Sequence, residues 1–104
     1  MGEYFEVAKT DEIDPGEKKL VEVDGEPLAI FNLGGTYYAI QDVCTHDGGP
    51  LVEGDLIGDD EIECPRHGAR FNVRTGAVTR MPACEPVETF PVKVEGDRIL
   101  VSID

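Results

Sequence analysis

An all-β fold, an antiparallel β-sandwich or barrel, is predicted by three features: the apolar runs are short, their period is close to two, and turn residues separate them. No stretch carries a helical stripe, and no repeat, low-complexity tract or long linker interrupts the chain. Tyr4 to Ala8, Lys18 to Val23, Pro27 to Leu33 and Thr36 to Gln41 read as the first four strands. Between them lie "DPGE", "DGE" and "GG", which read as hairpin connections. A second set begins near Glu61 to Cys64 and continues loosely through Arg70 to Val78. It ends with Val87 to Glu95 and Arg98 to Ile103, joined by a turn at Gly96 and Asp97.

At 104 residues the chain reads as one domain, 1–104, able to bury a core without disulfides or a metal. Any metal is then expected to be functional and not merely a staple. "MGEYFEVAKT" has neither a basic region nor an apolar core of a signal peptide, and no later stretch approaches a membrane span. A soluble, cytoplasmic protein is expected. Twenty-two acidic residues against nine basic ones give a formal charge of −13. That charge disfavours nucleic acid and anionic lipid and suits a basic protein partner, while also serving solubility.

Both histidines and two of the three cysteines fall in "CTHDGGPLVEGDLIGDDEIECPRHG", residues 44–68, as C-x-H and then C-x-x-H. An odd cysteine count in a mixed Cys/His pattern is not a secreted disulfide framework and fits a reducing compartment. Each pair sits where a strand gives way to a loop rich in glycine and proline. Two such loops can face each other across an ion, with Gly48, Gly49 and Gly68 letting the backbone approach and Pro50 and Pro65 holding the loop shape. Thiolate and imidazole select zinc, copper or iron-sulfur over magnesium and calcium. Two Cys and two His would close a tetrahedral zinc site, but structural zinc sites usually pair C-x2-4-C with H-x3-5-H. For blue copper, Met81 is the one available axial ligand, and the spacing does not match. One Cys and one His in each knuckle suit a cluster with two unlike irons.

C-T-H at Cys44 to His46 and C-P-R-H-G at Cys64 to Gly68 together resemble the two cluster-binding boxes of the Rieske family. The resemblance runs over nearly the whole chain, through "FNVRTG" after the second box and "MPACEP" at Met81 to Pro86. It implies a Rieske-like fold with a small cluster-binding subdomain of two loops, about residues 42–85, and one 2Fe-2S cluster per chain. It implies too that Cys44 and Cys64 bind the inner iron and His46 and His67 the outer one. Respiratory members resemble C-T-H-L-G-C and C-P-C-H-G-S-x-Y, whose extra cysteines form a disulfide. Here Gly49 and Arg66 stand at those positions, and Ala69 and Phe71 match the Ser and Tyr that donate hydroxyl hydrogen bonds to the cluster. Fewer donors to sulfur and a strongly negative protein both disfavour the reduced state, so the potential is expected at the low end of a family range of about −150 to +300 mV. It is also expected to fall at alkaline pH, where the oxidised form loses imidazole protons.

An oxygenase would need two further histidines and a carboxylate for mononuclear iron, and both histidines are committed. What the resemblance implies is therefore an electron carrier and not an enzyme, similar to the soluble ferredoxins of ring-hydroxylating dioxygenase systems. Its partners would be a flavin-containing ferredoxin reductase and a terminal oxygenase, met transiently by a monomer. Two other readings are a 2Fe-2S subunit of another redox enzyme, such as the small subunit of assimilatory nitrite reductase, and a structural zinc module. Among the remaining loop residues, Asp47 reads as a solvated acid, Arg66 as a surface ion pair or partner contact, and Cys84 as a packing cysteine. Pro82 and Pro86 belong to a loop that in the family covers the cluster. Phe5, Tyr37, Tyr38 and Phe90 read as core and strand-surface residues.

Overall fold

The computed structural model describes residues 3–43, 49–65, 68–81 and 85–103. The strands are β1 (Phe5–Lys9), β2 (Lys18–Val23), β3 (Glu26–Leu33), β4 (Thr36–Gln41), β5 (Asp55–Ile57), β6 (Glu61–Glu63), β7 (Arg70–Asn72), β8 (Val78–Arg80), β9 (Thr89–Phe90), β10 (Val92–Glu95) and β11 (Arg98–Val101). A 3-10 turn at Thr10–Glu12 is the one helical element among the described residues, and none there is long and apolar enough to cross a membrane. The strands form three antiparallel sheets, ordered β1-β11-β10, β2-β3-β4-β9 and β5-β6-β7-β8.

The middle sheet is a wall between two apolar cores. On one side Ala29, Phe31 and Ile40 pack with Leu51, Ile62 and Phe71; on the other, Leu28, Ile30 and Ala39 pack with Val21, Ile99 and Val101. Burial on both faces explains why β3 is a continuous apolar run, "LAIF", where β2 alternates. Register enforces the division, since Ala29 lies opposite Ile40 and Ile30 opposite Ala39.

The hairpins at "DGE" and "GG" form as the turn residues predict, Val23 pairing with Glu26 and Leu33 with Thr36, and Glu95 pairs with Arg98 across Gly96 and Asp97. "DPGE" does not close a hairpin. β1 pairs with β11, Phe5 opposite Val101, and the segment after β1 crosses between sheets. What pins that crossing is buried Asn32: its side-chain amide donates to the Ile13 carbonyl at 2.8 Å, and its backbone exchanges bonds with Gly16 and Glu17. The run Val87 to Glu95 likewise divides at Pro91 into β9 and β10, which belong to different sheets. β5, three residues inside an acidic stretch, has too short an apolar signal to be read from sequence.

Candidate metal centre

β6 ends at Glu63, and the next residue is Cys64, at the base of the hairpin that leads to β7. The Cys64 N–H donates to the Ala69 carbonyl at 2.7 Å, and the Gly68 N–H donates to the Cys64 carbonyl at 3.1 Å. Cys64 and Ala69 are thereby paired across the hairpin, with Gly68 bonded back to Cys64. Pro65 favours extended backbone at Cys64. Gly68 has φ +79°, a left-handed conformation that costs a side-chain-bearing residue about 1 kcal/mol or more. Cys64 is a free cysteine, 1% exposed, in the core with Leu51, Ile62, Ala69 and Phe71. A soft sulfur donor at a hairpin end, walled from water by aliphatic and aromatic groups, fits a sulfur-ligated iron cluster.

The other loop begins at the end of β4 and returns along Gly49 to Val52. Its two limbs are joined by Asp42, which is 5% exposed. The Asp42 Oδ1 accepts the N–H of Leu51 at 2.8 Å and of Val52 at 2.6 Å, while its own N–H donates to the Pro27 carbonyl at 2.9 Å. Burial holds the Asp42 carboxyl above the ordinary aspartate range, against the opposing pull of the two N–H bonds. Leu51 is fully buried in the core that contains Cys64, so the shoulders of the two loops meet. Of the four ligands expected from sequence, Cys64 is placed here; Cys44, His46 and His67 lie outside the described residues, as do Gly48, Asp47, Arg66, Pro82 and Cys84.

A family model described as the Rieske [2Fe-2S] domain matches residues 3–91. The chain belongs to the Rieske [2Fe-2S] family. A biphenyl dioxygenase ferredoxin subunit from Pseudomonas sp. (strain KKS102) is 41% identical over 98 residues, 94% of this chain and 90% of the relative. The ferredoxin of carbazole 1,9a-dioxygenase from Nocardioides aromaticivorans IC177 superposes with a TM-score of 0.90 at 39% identity, covering 94% of this chain and 95% of that one. A chain from a complex of reduced oxygenase and oxidised ferredoxin in carbazole 1,9a-dioxygenase superposes with a TM-score of 0.89 at 37% identity, over 95% and 92% of the two chains.

Within this Rieske domain, charge flanks the Cys64 hairpin in an ordered way. Glu63 Oε2 accepts the Arg70 Nε–H at 3.0 Å and lies 3.6 Å from Arg80 Nη1. Ala69 and Phe71 are fully buried and bring no hydroxyl to the hairpin. Two residues that shape the site have little sequence signal. Asp42 follows an apolar strand and looks like a solvated strand end, although aspartate at such a boundary is apt to bond nearby backbone N–H groups. Gly54 reads as an ordinary turn in "EGD". A Cβ there would overlap the Glu63 carbonyl, so the loop's return limb touches the backbone beside Cys64 only because position 54 has no side chain.

Proposed function

We propose that this chain is the ferredoxin component of an aromatic ring-hydroxylating dioxygenase system, a one-electron carrier and not itself an enzyme. A single domain, 1–104, holds one Rieske-type 2Fe-2S cluster within residues 42–85, through Cys44 and Cys64 on one iron and His46 and His67 on the other. The observation that carries this reading is length: at 37 to 41% identity, the ferredoxins and the ferredoxin-containing complex matched are covered over 90% or more of their own chains. At most about a tenth of these relatives' own length lies outside the match, and both histidines of this sequence are used as ligands. A nitrite reductase subunit or a zinc module is favoured by no observation of comparable identity.

A bound cluster, held by Cys44, Cys64, His46 and His67, would supply reversible one-electron redox chemistry. The chain's residues do the rest. Cys64 presents its sulfur from a fixed backbone pair; Leu51, Ile62 and Phe71 keep water from that sulfur. Ala69 and Phe71 withhold the hydroxyl donors that would stabilise added negative charge, which holds the potential low. The donor is a flavin-containing ferredoxin reductase and the acceptor a terminal oxygenase, each met briefly in the cytoplasm by a monomeric shuttle.

The test is electron paramagnetic resonance of dithionite-reduced protein with iron and sulfide analysis. Two irons per chain and a rhombic signal whose average g lies below that of all-cysteine 2Fe-2S ferredoxins are expected. Colourless protein holding zinc, with iron-sulfur reconstitution failing, overturns the reading.

A further inference from the structure

We infer that Asp42 is a positioning residue for the cluster: its buried carboxylate clasps the return limb of the first loop and, through Leu51 and Gly54, fixes that loop against the hairpin carrying Cys64. The inference rests on the function proposed above and assigns a role to a residue outside the four ligands.

Three contacts carry it in sequence. Asp42, two residues before Cys44, is anchored through its own N–H to the Pro27 carbonyl, and its Oδ1 accepts both the Leu51 and the Val52 N–H groups at 2.8 and 2.6 Å. Leu51 then turns the chain, its carbonyl accepting the Gly54 N–H at 3.0 Å, while its side chain enters the same core as Cys64. Gly54 finally lies against the Glu63 carbonyl so closely that a Cβ has no room, and the next residue, Asp55, is the register partner of Glu63. The path runs from the residue that starts the first loop to the residue that precedes Cys64. It passes entirely through backbone hydrogen bonds, one buried carboxylate and one forced close contact, all stiff elements. Donors and acceptor are buried or nearly so, and the bonds are charge-assisted, so opening the clasp leaves two N–H groups without their acceptor.

The geometry separates acceptor from charge, because both bonds go to one oxygen. Asp42→Asn keeps that oxygen; Asp42→Ala removes it; Asp42→Glu keeps charge and acceptor but moves them outward by one methylene. The holoproteins are compared by iron content, g values of the reduced state and the rate at which the cluster is lost to a chelator. Removing the charge raises the potential by field alone, so the geometric readouts decide. Asp42→Asn is expected to keep the wild-type g values. Asp42→Ala is expected to lose its cluster about tenfold faster or more, the effect of two lost charge-assisted bonds, with far-ultraviolet circular dichroism retained. If Asp42→Ala does not fold, Asp42→Glu decides, with full iron content and shifted g values expected. Wild-type g values and lifetime in Asp42→Ala, or in Asp42→Glu where Asp42→Ala does not fold, overturn the inference. So does an Asp42→Asn protein as defective as Asp42→Ala, since charge and not position would then matter. A wild-type protein that binds no cluster instead defeats the proposed function, and this inference with it.

Discussion

The two cores share one wall and are built differently. On the base side, β2, β3 and β4 are six to eight residues long, and most of their order comes from consecutive hairpin pairing. On the cluster side, β5, β6, β7 and β8 have three residues each, too short for pairing alone to hold them. Side chains there supply what strand length does not: Asp42 grips Leu51 and Val52, Asn72 Oδ1 accepts the Arg74 and Thr75 N–H groups, and Arg74 stacks 5.3 Å over the Tyr38 ring while donating to its hydroxyl at 3.0 Å. The lesson is that the base folds from its pattern and the cluster side from particular residues. A lesion on the cluster side should therefore damage the centre while the base persists, and the reverse lesion should do the opposite.

The largest such effect is expected from Cys64→Ser. Removing the sulfur should abolish visible absorption and drop iron content to near zero. Oxygen in place of a 1% exposed sulfur leaves the β2-β3-β4 hairpins untouched, so strand circular dichroism should remain. Full iron retention with unchanged g values would remove Cys64 from the ligand set.

A sharper division comes from neighbours on β3. Phe31 and Ile30 are both fully buried, one facing each core. Phe31→Ala should cost about 3–5 kcal/mol and Ile30→Ala about 2–5 kcal/mol in urea unfolding. Only Phe31→Ala should also quicken loss of the cluster, because only Phe31 packs in the core that includes Cys64. Equal cluster lifetimes in the two variants would mean that the wall does not insulate the two sides.

The same contrast explains what could be read from sequence. Period-two runs and two-residue turns made β2, β3 and β4 legible to within a residue, because local chemistry and global position agree there. The Cys/His spacing pointed to a cluster, since few other centres use one of each donor per knuckle. The β1-β11 pairing was not legible: it joins the two ends of the chain, and only buried Asn32 and Ile13 show why "DPGE" crosses over. Neither Asp42 nor Gly54 was legible as part of the site. An aspartate's burial and a glycine's clash with Glu63 are tertiary facts, with no periodicity to announce them.

The smallest expected effect lies on the base and is a matter of pH. Glu12 is held below the ordinary glutamate range, first by the Lys9 backbone N–H at 2.9 Å and then by Lys19, whose ammonium lies 3.1 Å away. A carboxyl whose folded value is depressed contributes stability above its unfolded pKa, and loses that contribution as pH falls through the folded value. Glu12→Gln should therefore be slightly less stable than wild type at neutral pH, with the gap closing on acidification and absent once Glu12 is protonated in both states. The group is exposed, so the gap is small and should shrink further with salt. Cluster g values should be unmoved at every pH where wild type keeps them, because among the described residues the Glu12 carboxylate bonds to Lys9, before the turn after β1, and to Lys19 on the edge strand β2. A change in g values on this substitution would show that the base speaks to the cluster side through the central sheet, and would erase the contrast between the two cores.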